Sequence, residues 1–370
     1  MDKAFDHSKI RVYPVASRRS LSRLDRILLN PNEVPTPCSP AISKILDEAV
    51  GRIIQARRMG ASVILIYGAH LIKNGLMDVV IRLIEGGWVT HLATNGAGSI
   101  HDWEFAYLGC TEESVRENIP KGIFGMWDET GRYIHLALMV GALDGLGFGQ
   151  SLGRFIADDG ANVPQADKLE ELIRQNPWDD RVGAWSDLLR AIKSGWIKPG
   201  ENHLHHVWKE HSLLNRAWQL GIPLTVHPGI GYDIITNHPM FNGAVLGRAA
   251  AIDFDLLASS IDRLDNGVVL SVGTAVMGPQ VFEKAISCVN NVRLNENRPI
   301  VSGHSIFVVD IQDSGGWDWS TGEPPKSSPA YYLRFCKSYA RAADKMVYAQ
   351  CSNTMFLHNL WWRLREKSCY

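Results

Sequence analysis

Short, continuous apolar runs recur along this chain, and between them lie longer stretches whose apolar positions repeat at helical spacing. The first run, Val63-Ile-Leu-Ile-Tyr67, shows no polar alternation, as expected of a strand buried on both faces of a parallel sheet. Before it, Ile42, Ile45, Leu46, Ala49 and Ile53 predict a helix over 40–59. Ser39 suits its cap, Pro40 its first turn and Gly60 its end. After it, a helix is predicted over 71–85, stopped by Gly86-Gly87. Further strands are predicted over 89–94, 222–226, 268–272, 306–309 and 346–349. Strands alternating with helices imply right-handed crossovers and a doubly wound, mainly parallel α/β sheet. Residues 1–38 read as an arm. Residues 39–370 read as one α/β domain with a variable helical excursion near 150–205, including helices near 166–175 and 183–194. Segment 312–329 reads as a loop long enough to expect a function.

Charge narrows the classes. With 38 basic and 39 acidic residues among 370, the chain lacks the cationic surplus a general nucleic-acid binder needs. The six cysteines include no CxxC pair, so they read as reduced thiols rather than a metal or redox motif. The N-terminal residues lack the apolar core of a signal peptide, and no apolar run is long enough to cross a bilayer. A cytoplasmic protein without membrane, nucleic-acid or metal partners is therefore expected. The stretch Phe356-Leu-His-Asn-Leu-Trp361-Trp362 would be costly to expose, which predicts burial in a homodimer or homotetramer.

The candidate chemistry gathers at strand ends. Predicted strands lead into Gly68-Ala69-His70, Asn95-Gly96-Ala97, His227-Pro228-Gly229, Gly273-Thr274 and Gln350-Cys351-Ser352. Ligands of open α/β sheets bind beyond the carboxyl ends of strands, and small residues there let backbone N–H groups approach a pyrophosphate. This predicts a nucleotide or dinucleotide, with Gly68, Ala69, Asn95, Gly96 and Gly273 near its phosphates or riboses. Tight turns alone would also use such residues. The run Gly145-Leu-Gly147-Phe-Gly149 follows a predicted helix over 128–144, lacks GxGxxG spacing, and reads as a helix end and turn. His203, His205, His206 and His211 match no metal spacing and are expected on a helix capped by Asn202, pointing in different directions. His70 and His101 each stand just past a strand end. Lys337 falls on a predicted helix among Tyr331, Tyr332 and Phe335. A lysine in apolar surroundings can lose its charge and become a nucleophile, whereas a lysine on a surface simply snorkels.

Several of these segments, in order, resemble deoxyhypusine synthase. Gly68-Ala-His-Leu-Ile-Lys-Asn-Gly75 is similar to that family's Thr-Ser-Asn-Leu-Ile-Ser-Ser-Gly loop, and Thr94-Asn-Gly-Ala-Gly-Ser-Ile-His-Asp102 to its Thr-Thr-Ala-Gly-Gly-Val-Glu-Glu-Asp. Ile222-Pro-Leu-Thr-Val with Gly231-Tyr-Asp233 resembles the strand leading to its substrate pocket. Lys337 precedes the Tyr348 of Val-Tyr-Ala-Gln-Cys-Ser by eleven residues, as the family's catalytic lysine precedes the Tyr of Val-Tyr-Ala-Asp-Ala-Ser. The resemblance implies a Rossmann-like NAD domain, a homotetramer, and amine oxidation with imine transfer through Lys337 to a protein or small-amine acceptor. It adds His70, Leu71, Ile72, Lys73, Ala97, Thr274, Gln350 and Cys351 to the cofactor set. His101, Asp233, Trp317, Tyr331 and Phe335 stand at the matching places as expected substrate contacts, and the aromatic residues Tyr331, Tyr332, Phe335, Trp317 and Trp319 are expected to form a box around the substrate beside Lys337. Where the family has glutamates, this chain has Tyr331, Ile100 and His101, which predicts a substrate less cationic than spermidine. The alternatives are a plain NAD-dependent amine or amino-acid oxidoreductase and a non-catalytic nucleotide-binding relative.

Overall fold

The computed structural model describes residues 4–367. They fall into two compact units. One is built from residues up to 26, 99–219 and 228–253, and the other from 27–98, 220–227 and 254 onward.

The second unit carries six strands, labelled β1 (Val63–Tyr67), β2 (His91–Asn95), β3 (Leu224–His227), β4 (Val268–Val272), β5 (Ser305–Asp310) and β6 (Lys345–Gln350). All pair in parallel, in the spatial order β3-β2-β1-β4-β5-β6. This is the order of a dinucleotide-binding sheet, and its direction of winding reverses between β1 and β4. These two strands pair from Val63 opposite Val268 to Tyr67 opposite Val272, so they end level, and Gly68 and Gly273 follow at once.

Both strands are buried along their whole length because helices cover both faces of the sheet. On one face Ile64, Ile66, Val269, Ile306 and Val308 pack with Phe282 and Ala285 of helix Met277–Asn295 and with Phe335 and Tyr339 of helix Arg334–Ala342. Helices Pro40–Arg58 and Asn353–Leu364 pack on the other face. The first begins as its sequence predicts. The Ser39 hydroxyl accepts from the Ile42 amide at 3.3 Å, Pro40 occupies the first turn, and Gly60 lies just beyond the end with φ +70°.

Two expectations change here. The helix predicted over 71–85 is two helices, Ala69–Lys73 and Met77–Glu85. Gly75 separates them with φ +74°, and a Cβ there would collide with the Ile27 carbonyl. That packing lets the Leu29 amide donate to the Gly75 carbonyl at 2.9 Å, a contact that helical periodicity does not encode. The aromatic C-terminal stretch is covered by its own chain. Phe356, Leu357 and Leu360 are buried, the Trp361 indole donates to the Pro31 carbonyl at 3.1 Å, and Asn359 donates to the Thr36 carbonyl at 2.9 Å. Trp361 and Trp362 remain half-buried, so the stretch is largely, not wholly, covered within the chain.

The first unit is mainly helical, including Asp128–Gly141, Phe148–Ala157, Ala166–Gln175 and Val182–Lys193. Gly145, at φ +71°, ends the turn after the first of these, and Gly147 stands at the N-cap of the second, so the glycine run is a helix end and turn. Asn202 caps no helix. Gly200–His203 is a strand paired antiparallel with Gly160–Val163, and Lys209–His211 is a single 3-10 turn. The imidazoles instead pair with carboxylates, His203 with Glu201 and both His205 and His206 with Asp159. The unit's most buried ion pair joins Arg18 to Glu104, with two parallel contacts of 2.7 and 2.8 Å. No single helix among the described residues is long and apolar enough to cross a membrane.

Candidate functional site

The carboxyl ends of β1, β2, β4, β5 and β6 surround a cleft of about 530 Å³ in the second unit. Its floor lies at the switch point. Gly68 and Gly273 meet there so closely that a Cβ on Gly68 would collide with the Gly273 carbonyl oxygen. Gly273 itself has φ +59°, a backbone state that L side chains rarely adopt. With no side chain on either strand end a ligand can come close to the backbone, while the two glycine amides themselves hold the sheet, Gly68 donating to the Val272 carbonyl at 3.4 Å and Gly273 to the Val309 carbonyl at 2.9 Å.

Three helices start on this cleft: Ala69–Lys73 after β1, Met277–Asn295 after β4 and Asn353–Leu364 after β6. Their first-turn amides lack intrahelical acceptors, and for the two long helices the macrodipole adds positive potential. Among the lining side chains none is Lys or Arg, so an anion there would be held by amides and side-chain donors. Asn74 and Asn353 add a fixed amide pair. Asn74 Nδ2 donates to Asn353 Oδ1 at 2.9 Å, which turns the Asn353 Nδ2 toward Gly273. Asn95 accepts from the Gly98 amide at 2.9 Å, and Thr274 accepts from the Gly278 amide at 3.1 Å, so both polar side chains are held by the helices they precede.

Burial pushes the Cys351 thiol up to about 11, so this lining group stays neutral near pH 7 and is a poor nucleophile. Tyr348 is also raised, first by burial, and its hydroxyl donates to the Gln312 carbonyl at 2.6 Å, fixing the chain just past β5.

Of the cofactor residues expected from sequence, Gly68, Ala69, His70, Asn95, Gly273, Thr274 and Cys351 line the cleft. Leu71 and Ile72 do not, because they are the buried face of the short helix after β1. Lys73, Gly96, Ala97 and Gln350 also lie outside the lining. Lining residues outside that expected set include Val276, Met277, Asp310, Ile311 and Asn353. The signal for Asp310 and Asn353 was present, since each stands at or just past a predicted strand end. Val276 and Met277 carry no such signature.

The expected substrate residues divide between the units. His101 and Asp233 belong to the first unit. There His101 Nδ1 pairs with the Thr111 hydroxyl at 2.7 Å, and the buried Asp233 accepts from the Gly229 amide at 2.8 Å. Trp317, Tyr331, Phe335 and Lys337 lie in the second unit, but they do not form an open box. Phe335 and Trp319 are buried in the core under the sheet, and the Trp317 indole donates to the Gly322 carbonyl at 2.9 Å. Tyr332 is exposed. Only Tyr331 faces the lysine, whose Nζ sits 3.7 Å from the ring centroid. Lys337 is not among the residues lining the cleft. The physical reason is the helix register. Phe335, Cys336 and Tyr339 must face the sheet, which turns the side chain of Lys337 off that face.

No protein-family model matches this chain, and no curated protein matches it. Solved structures show distant likenesses. The ternary complex of AgrE with ornithine and NAD+ shares 15% identity at a TM-score of 0.43, covering 90% of this chain and 34% of that one. A LOR/SDH-type protein from Methanococcus maripaludis S2 shares 14% at 0.42, covering 91% and 73%. A protein from Entamoeba histolytica assigned as a deoxyhypusine synthase shares 11% at 0.38, covering 87% of each chain. The chain spans about a third of the length of the AgrE and ArgZ chains it matches. At these values the chemistry of the cleft rests on its own geometry.

Proposed function

We propose that the cleft at the carboxyl edge of the sheet binds NAD and that the chain is an NAD-dependent enzyme acting on an amine or amino acid. One observation carries the cofactor half: six parallel strands in the order β3-β2-β1-β4-β5-β6 with an open cleft at the switch point, where dinucleotides lodge. The residues present suit the group. Gly68 and Gly273 allow close backbone approach, helix starts at Met277 and Asn353 suit a pyrophosphate, and the Asn353 amide adds a fixed donor. NAD, when bound, supplies the hydride acceptor. The amine half rests on the similarity of the strand-end segments to deoxyhypusine synthase.

Imine transfer through Lys337, which the same similarity implies, is the step this geometry supports least. The Lys337 Nζ sits over the Tyr331 ring and outside the cleft lining, so it is not positioned to attack a group held in the cleft. The geometry favours the plain oxidoreductase. Borohydride trapping with candidate amines separates the two readings, and a lysine adduct lost in Lys337→Arg would restore the transferase. Lys337→Met is expected to leave NAD affinity within about twofold of wild type.

Calorimetry of the full chain with NAD tests the cofactor half. Binding is expected, and Gly68→Val is expected to abolish it, because the added side chain would displace the Gly273 backbone. Clean wild-type protein that binds no NAD would remove the proposal. Appearance of NADH with a panel of amines and amino acids then distinguishes an enzyme from a nucleotide-binding relative without turnover. A homotetramer is part of the same proposal, and sedimentation at micromolar concentration checks it.

A further inference from the structure

The polar lining of the cleft is asymmetric in charge. Asp310, the last residue of β5, is its one carboxylate, and none of the lining residues is Lys or Arg. This carboxylate is held in place. Its Oδ1 accepts from the Gln312 amide at 3.1 Å and from Gln312 Nε2 at 3.3 Å, while its main-chain carbonyl accepts from the Cys351 amide at 3.0 Å. Oδ2 has no hydrogen-bond partner among the described residues, so one carboxylate oxygen remains open as an acceptor. Two aliphatic side chains of the lining flank the same end. Ile311 is 74% exposed and Val276 is 71% exposed, so both aliphatic side chains are open to a flat apolar group bound in the cleft.

We infer that Asp310 is the residue that selects NAD over NADP, by accepting hydrogen bonds from the adenosine ribose hydroxyls while Ile311 and Val276 flank the adenine. The inference rests on the cleft being the NAD site and deepens that reading. A carboxylate at a strand's carboxyl end is suited to a ribose diol, since it offers acceptors to hydroxyl donors. A 2′-phosphate in the same place would bring its negative charge against Asp310, and no lining Lys or Arg is present to neutralise either group. Other dinucleotide sites that take the phosphate supply an arginine for it. The end of β2 carries the uncharged Asn95, so Asp310 is the single carboxylate among the residues lining the cleft.

Calorimetric titration of the full chain with NAD and with NADP provides the test, in wild type, Asp310→Asn and Asp310→Ser. Asparagine keeps the side-chain oxygen that the Gln312 amide uses, so this variant preserves the turn while removing the charge. Wild type is expected to bind NAD at least tenfold more tightly than NADP, about 1.4 kcal/mol. Both variants are expected to narrow that ratio to about threefold or less, through a gain for NADP and a loss for NAD. If wild type binds the two nucleotides equally, or if both variants keep the wild-type ratio, the inference is overturned while the NAD site stands. If wild type binds neither, the site itself falls and the inference with it.

Discussion

At the scale of single residues, the first unit depends on one ion pair. Burial raises the Glu104 carboxyl, but Arg18 outweighs this and holds it below the usual carboxylate range. Thr130 donates to Glu104 at 2.8 Å, and Thr111 donates to it as well, so the carboxylate is fully engaged. Removing one partner of such a pair leaves a buried charge with no counter-ion, at a cost of about 3–5 kcal/mol. Arg18→Met is therefore expected to lower stability by about that amount, read from the denaturant midpoint at neutral pH. A loss below about 1 kcal/mol would show that the threonines alone satisfy Glu104. Neither member of this pair was marked in the sequence. An arginine in an N-terminal segment reads as solvated until the fold places it against an acid 86 positions away.

Among the elements, the break between Ala69–Lys73 and Met77–Glu85 matters because it sets where the helix after β1 stops. Gly75→Ala is expected to cost more than the Gly-to-Ala difference in helix propensity would regain. Its φ of +74° is strained for alanine, and the Ile27 carbonyl occupies the space of the new methyl. A loss of about 2 kcal/mol or more is expected in thermal or chemical unfolding, and unchanged or increased stability would contradict the packing. Ser39→Ala serves as the contrast. It removes one cap and should cost about 1 kcal/mol, with NAD affinity unaffected because helix Pro40–Arg58 does not line the cleft.

The whole molecule should respond to acid through its buried histidines. Burial lowers His91 to about 3 and His135, His206 and His227 each to about 4. His91 shows how neutrality is kept, with Nδ1 on the Ser260 hydroxyl at 2.8 Å and Nε2 on the Thr225 hydroxyl at 3.0 Å. Depressed folded-state values mean that between about pH 6.5 and 4 the unfolded chain binds protons that the folded chain refuses. Stability should therefore rise with pH across that window and fall as acid is added. Asp102 works in the opposite direction, since burial raises it to about 6 and the folded state then binds the extra proton between about pH 4 and 6. Four histidines outweigh one aspartate, so a net acid loss is expected. Urea midpoints measured from pH 7.5 to 4.5 check this, and a flat or rising profile toward acid would refute it.

What the sequence determined by itself is local. Apolar runs such as Val63–Tyr67 and Val268–Val272 can be satisfied only by a sheet covered on both faces, so the α/β class and the strand positions were legible. Gly68, Asn95, Gly273 and Cys351 could be read as cleft residues because strand ends in such a sheet share one edge. Tertiary structure alone decided which ends are neighbours. The order β3-β2-β1-β4-β5-β6 brings Gly68 against Gly273 and places Asp310 on the same cleft, although these residues lie far apart in the chain. It also decided against the aromatic box. The pattern around Lys337 shows aromatic residues close in sequence, but hydrophobic burial assigns Phe335 and Trp319 to the core and leaves Tyr331 as the aromatic ring beneath the Lys337 Nζ. Periodicity specifies that a face is buried. Which partner buries it, and which polar group is left facing a ligand, follows only when distant segments compete for the same sheet.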